Sequence, residues 1–348
     1  MRLRFYWLSL ALCLVITAQC WANDSVKTIK GMLSGRLIGI SPVKVDLEQS
    51  PSSGTAKEIP VNEIITIFFE GESGDLREAK KHVLIGHFVE ALAELDRIKA
   101  DATAREEIKQ DIEYYKALCS ARLALAGSGK ISDAGRMMKS FVGSYPKSYH
   151  YFEGVEVVGD LLVNIQQYSQ AAEYYSQLEK APWGDYKMRA GVATGRALLA
   201  QGKNSEAMKE FDKILANDTI GNLADTQRAI AKLSKASVLI AMQRNDEAIK
   251  IAEEILQKTN PEDEQIQAHA YNVLGTAYRQ TGRTKEALLA FLRVDLLYSN
   301  VLDAHAEALS NLADLWEQVY KPERAQRARK ILEDQYKDSP WAKKNRGT

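Results

Sequence analysis

The side chains able to do chemistry are few and scattered. The five histidines are His82, His87, His150, His269 and His305. None belongs to a His-Glu-x-x-His set, which would bring two imidazoles to one zinc ion. His82 and His87 are five apart, a poor helical spacing for sharing a metal, so both are expected to be structural or surface residues. No Cys-x-x-Cys pair or Gly-x-Ser-x-Gly elbow occurs. Cys119 lies in an apolar helical stretch without a basic neighbour to lower its thiol pKa, and it reads as a core residue. The run Gly127-Ser128-Gly129-Lys130-Ile131 invites comparison with a phosphate loop. However, Ala124 stands where the leading glycine belongs, Ile131 replaces the magnesium-binding hydroxyl, and the run follows a helix instead of a strand. A turn between helices is expected there. With no clustered reactive set, the chain is expected to be non-enzymatic, with no catalytic residue, cofactor or metal.

At 348 residues, 45% hydrophobic and 26% charged, the chain has the composition of a soluble protein with room for about two domains. Its first residues have the three parts of an export signal: Arg2 and Arg4, the apolar run Leu8 to Ala18, and a small-x-small site at Cys20-Trp21-Ala22. Cleavage after Ala22 is expected, giving a periplasmic or extracellular protein, with a bacterial source suggested by overall texture. The apolar run is shorter than the roughly 20 residues a spanning helix needs, so no membrane anchor is expected beyond the signal. Cleavage would also remove Cys13 and Cys20, leaving Cys119 alone and no internal disulfide. Basic and acidic residues balance at 46 each, so nucleic acid is not an expected partner.

Residues 27–70 alternate with a period of two. Val43-Lys-Val45-Asp-Leu47 and the β-branched, aromatic Ile64 to Phe69 read as strands, and Gln49 to Thr55 reads as a loop. Four or five short strands here would make a small antiparallel module, looking like an SH3 or Sm-type barrel and too small to stand alone. It is expected to dock on the first helices. After Gly74 the period becomes helical and stays so.

The clearest helical stretch is His269 to Leu297. Tyr271, Leu274, Gly275 and Tyr278 share one helix face, Gly282 closes that helix, and Ala287, Phe291 and Val294 mark the inner face of the next. Alanines that mark such second helices recur at Ala91, Ala134, Ala171, Ala207, Ala248, Ala287 and Ala325. Twelve residues before the last five stand Gly159, Gly195, Ala236, Gly275 and Ala313, all small enough to let helices cross closely. This pattern resembles the tetratricopeptide repeat, a helix-turn-helix unit of about 34 residues, although spacings here run longer. The resemblance implies a mainly α fold. An α-solenoid of about seven helical pairs would span 74–338, capped by the charged helix Pro322 to Tyr336, with a flexible tail at 339–348.

In this family the first helix of each pair lines a concave groove. Positions counted from the small residues place Glu156, Asp160, Arg189, Arg196, Asn272 and Arg279 there as candidate partner-binding residues, with charge alternating along the array. Such a groove suits an extended peptide of mixed charge, with Arg196 or Arg279 holding a carboxylate through two hydrogen bonds. The two-carboxylate clamp of some members needs lysines that are missing here: Val192, Leu233 and Asn272 occupy the matching positions. The expected function is therefore an exported scaffold or adaptor for protein or peptide partners. The alternatives are an envelope-assembly factor or an accessory subunit of an enzyme complex.

Overall fold

The computed structural model describes residues 23–50, 55–98 and 105–346. The expected export signal, with Cys13 and Cys20, lies outside them. The chain opens with five strands: β1 (Asp24–Thr28), β2 (Gly31–Ile40), β3 (Lys44–Glu48), β4 (Ala56–Pro60) and β5 (Ile64–Phe68). All pairings are antiparallel, in the order β4-β3-β2-β1-β5. The alternation seen in the sequence buries Val26, Val45, Leu47, Ile59 and Ile67 on one face. A register shift between Leu37 and Gly39 breaks the β2–β3 ladder, and a short 3-10 turn at Val61–Glu63 carries the chain from β4 to β5. Among the described residues β4 and β5 remain sheet edges, so the sheet is five-stranded and antiparallel without a ladder joining its ends.

Helices follow to the end in seven antiparallel pairs: α1 (Gly74–Leu84) with α2 (Phe88–Arg97), α3 (Glu106–Ala126) with α4 (Ile131–Ser144), and α5 (Tyr151–Asn164) with α6 (Tyr168–Leu178). Then come α7 (Gly184–Ala200) with α8 (Asn204–Leu215), α9 (Asn222–Ala241) with α10 (Asn245–Lys258), α11 (Glu264–Gln280) with α12 (Thr284–Leu297), and α13 (Leu302–Gln318) with α14 (Pro322–Tyr336). In six pairs the connection is three residues long and its middle residue is left-handed: Gly86, Gln166, Gly202, Gln243, Gly282 and Tyr320. That conformation reverses the chain within one turn and satisfies carbonyls at the helix end. The α3–α4 connection has one residue more and begins at left-handed Gly127.

The seven marker alanines occupy the seven second helices, and each is at most 1% exposed. The small residues twelve before them make the crossings. A Cβ on Gly195 would lie 2.6 Å from the Phe211 ring, and one on Gly275 would lie 2.6 Å from the Phe291 ring. Gly159 faces Tyr175 in the same way. In each case the aromatic side chain stands four residues after the alanine, so one helix supplies a flat ring and the other the bare backbone that receives it.

The sheet docks on α1 and α3 through a buried ionic cluster. Lys80 on α1 donates to the Ile67 carbonyl at 2.7 Å, to Glu72 at 2.5 Å and to Asp111 on α3 at 2.7 Å. Asp111 also meets His150 Nε2 and the Tyr149 hydroxyl, each at 3.2 Å. Burial pushes the Asp111 carboxyl up, but Lys80 and His150 outweigh it and hold the group below its usual range. Thr66 with Tyr115 at 2.9 Å, Arg105 with Asp24 at 2.8 Å and Asn62 with Asp185 at 3.0 Å complete the dock.

Each first helix also touches the next one, and α13 returns to touch α3, so the array closes on itself. The Asp338 amide donates to the Gly127 carbonyl at 3.0 Å, the Ser128 hydroxyl donates to the Gln335 carbonyl, and Asn300 Nδ2 donates to the Ile85 carbonyl at 3.3 Å. A side chain on Gly127 would collide with the backbone of Ser339. Within the stretch expected as a tail at 339–348, residues Pro340–Arg346 form α15, which carries buried Ala342 and Asn345, whose Nδ2 donates to Ser310 Oγ at 2.7 Å. The final two residues lie outside the description. Cys119 is fully buried, and burial pushes its thiol up to about 12, consistent with a core role.

Candidate functional site

The first helices enclose a central cavity of about 880 Å³. Its lining comes from both ends of the array: Val83, Leu84 and Phe88 at the start, Tyr114, Leu118 and Arg122 on α3, and Leu302 and Asp303 at the end of the circuit. Between them come Glu153 and Asp160 on α5, Arg196 on α7, Ile230 and Leu233 on α9, and His269 on α11. The wall is apolar with charges of both signs set into it. Its volume falls within the several hundred cubic ångströms typical of ligand sites.

Of the six candidate residues, Asp160 and Arg196 line this cavity. Asp160 accepts a hydrogen bond from the Tyr175 hydroxyl at 2.9 Å, and burial together with the Glu156 charge pushes its carboxyl up to about 6. Arg196 donates from Nε to the Ser234 hydroxyl at 3.1 Å. The other four tie neighbouring first helices together. Glu156 on α5 pairs with Arg189 on α7. Asn272 on α11 is 2% exposed and donates to the Ala304 carbonyl at 2.9 Å and to Glu307 at 3.2 Å. Arg279 on α11 spans to α13, reaching Asn311 at 2.6 Å and Asp314 at 2.9 Å. Its two-pronged grip is already occupied by its own chain.

Glu307 behaves unusually as a result. Burial, reinforced by the Asp303 charge, pushes its carboxyl up to about 7 despite the hydrogen bond from Asn272. A carboxyl raised in the folded state binds its proton more tightly there than in the unfolded chain, so stability falls as pH rises from about 4.5 to about 7 and is level above. Glu307→Gln keeps the acceptor and removes the charge. It is expected to raise stability at pH 8 by about 2 kcal/mol and to flatten the pH dependence across that window, as read by urea denaturation at a series of pH values.

Sequence reasoning passed over Arg122 and Tyr114. The signal for Arg122 was present: it stands twelve before Ala134, where the repeat pattern asks for a small residue. The extra residue in the following turn shifts the frame, so Ala121 is the fully buried one and Arg122 falls on the cavity wall. Among the described residues no cluster of three or more His, Cys, Asp or Glu side chains could hold a metal, and no helix is long and apolar enough to cross a membrane.

Two segments, residues 159–219 and 227–294, match the sequence profiles of the tetratricopeptide repeat. The helical array is a tetratricopeptide-repeat array. The repeats resemble in fold a Rap protein complexed with the Competence and Sporulation Factor, at 16% identity and a TM-score of 0.57 over 76% of this chain and 74% of that one. They also resemble the Rap conjugation gene regulator of the plasmid pLS20 in complex with the Phr* peptide, at 12% identity and a TM-score of 0.56 over 75% and 74%. No curated protein sequence matches significantly. The spacings of this chain run longer than those of the usual tetratricopeptide repeat, and its last helices fold back onto its first.

Proposed function

We propose that this protein is a non-catalytic, exported scaffold that holds peptide segments of partner proteins inside its repeat array. The observation that carries the reading is the central cavity, walled by first helices from every part of the array and offering apolar surface with charges of both signs. A linear peptide supplies the same mixture: apolar side chains, charged side chains and an unpaired backbone. The structural resemblance to a repeat protein in complex with the Phr* peptide supports a peptide ligand for this architecture. Export rests on the amino-terminal sequence Arg2 to Ala22, and the balanced charge supports protein rather than nucleic-acid partners.

The test uses the secreted chain, whose first residue by mass spectrometry is expected to be Asn23. Fluorescein-labelled randomised hexapeptide pools are titrated into it and followed by anisotropy. Thr226, a cavity-lining residue on α9, is replaced by tryptophan in a parallel sample. Binding to the unaltered chain and at least about a tenfold loss in the variant are expected, because the indole fills the space the peptide needs. Equal binding by both proteins would place the ligand elsewhere and overturn the reading.

A further inference from the structure

The seam at which the array closes contains a window. A second cavity, of about 690 Å³, lies there between the first two helical pairs and the last two. Two ties across the seam border it: Gly86 against Asn300 at one, and Ser128 with Gln335 at the other. Phe88, Asn300 and Leu302 line this seam cavity and the central cavity alike, so a wall made of these residues separates the two.

The two ties differ in strength. At Gly127 the backbone lies so close to Ser339 that no Cβ fits between them. Across the other tie, Asn300 reaches the α1–α2 turn through a side-chain hydrogen bond, from Nδ2 to the Ile85 carbonyl, at 3.3 Å, which is longer than usual. The same nitrogen donates to the Glu264 carboxylate on α11, so it keeps a partner when Ile85 is released. Ile85 is 53% exposed, and water can replace the lost donor at its carbonyl, so release costs little. The route inward is apolar: Val89, 62% exposed, lines the seam cavity, Phe88 and Leu302 stand in the shared wall, and Leu84 lies on the far side.

We propose that the seam is a side entrance, through which a free chain terminus reaches the central cavity when Asn300 lets go of the α1–α2 turn. The proposal rests on the reading of the central cavity as a peptide site. The moving part is the short α12–α13 turn, residues 298–301, while the tie at Gly127 stays closed. Such a gate changes the rates of entry and exit by the same factor and leaves affinity alone, because the free and bound states are the same with or without it.

The test bolts the gate. A Cβ on Gly86 would stand 3.7 Å from the Cβ of Asn300, within the spacing of a disulfide. Its 3.1 Å approach to the Asn300 carbonyl oxygen is relieved by a shift of a few tenths of an ångström. Gly86 is left-handed, as are Gln166, Gln243 and Tyr320 at the same place in other pairs, so the position accepts a side chain. The double variant Gly86→Cys, Asn300→Cys is made in the secreted full chain, where Cys119 is buried away from exchange. The probe is the fluorescein-labelled randomised hexapeptide pool, followed by anisotropy. Oxidation, verified by loss of both new thiols, is expected to slow association at least about tenfold and to slow release from preloaded protein equally, with dithiothreitol reversing both. Val89→Trp narrows the seam cavity without a crosslink, and it should slow both rates at least about threefold with affinity within about twofold. Where the thiols do not join, the Val89→Trp rates alone decide the question. Equal rates in oxidised and reduced protein, or an unslowed Val89→Trp, overturn the side entrance and leave the peptide reading intact. Slower release with unslowed association means that the crosslink tightens the grip, and it overturns the entrance too. A pool that binds neither the parent nor the reduced variant overturns both readings.

Discussion

Replacing Lys80 by alanine is expected to destabilise the protein by about 3–5 kcal/mol, measured by chemical denaturation. Lys80, Glu72 and Asp111 have side chains that are at most 1% exposed, and the Lys80 ammonium reaches one oxygen of each carboxylate and the Ile67 carbonyl. Its removal leaves buried Glu72 with Arg77 at 3.4 Å and buried Asp111 with His150 and Tyr149, each without its nearest cation. Glu72 is already pushed up by burial despite Lys80, and it would take up a proton at still higher pH once the ammonium is gone. Stability of the variant is therefore expected to improve on acidification. The triple replacement Lys80→Met, Glu72→Gln, Asp111→Asn removes every charge together and is expected to recover most of the loss, because it is the unpaired ion, not the missing pair, that is costly. A single variant no less stable than the parent would show that the sheet is held by its apolar face alone.

The second large effect is expected at the crossing of α11 and α12. Phe291 is fully buried with its ring against Gly275, and Phe291→Ala should cost about 3–5 kcal/mol through lost burial and the cavity left behind. Repeat arrays loosen locally, so hydrogen exchange across residues 264–297 is the suitable measurement. Gly275→Ala provides the complementary probe. In the parent chain its methyl group meets the Phe291 ring at 2.6 Å and is expected to destabilise by about 1–3 kcal/mol. In the Phe291→Ala background the obstruction is gone, and the same change should stabilise by about 0.5–1 kcal/mol through helix propensity alone. That reversal of sign distinguishes ring-into-backbone packing from a general intolerance of substitution.

The repeats were legible in the sequence because the constraint is local: a small residue, a turn, then an alanine and an aromatic residue at fixed offsets. Gly275, Ala287 and Phe291 announce their crossing within one stretch of chain. The strands of the amino-terminal module were legible for a similar reason, since alternation such as Val43 to Leu47 needs no distant partner to be recognised. The polar side chains of the first helices were harder to read. Periodicity assigns Asn272 and Arg279 to the inner face of α11, yet it carries no information on how near α13 stands. In the structure the curvature brings α13 close enough for both side chains to be used up between helices. Arg196 on α7 is tied to α9 by one hydrogen bond to Ser234 and still lines the cavity, although its position in the pattern is like that of the others. The return of α13 to α3 and the docking of α15 depend on the summed twist of seven pairs, which no single segment encodes.

The fastening of Asp338 and Ser339 to the turn at Gly127 turns an open trough into a hoop. A trough accepts a stretch from the middle of a long polypeptide laid in from the side, whereas a hoop must be threaded. If the cavity holds peptides as proposed, this fastening would shut out a strand with folded bulk on both flanks and admit one with a loose end. Selection by this molecule would then begin with the shape of the guest, before any side chain has been read.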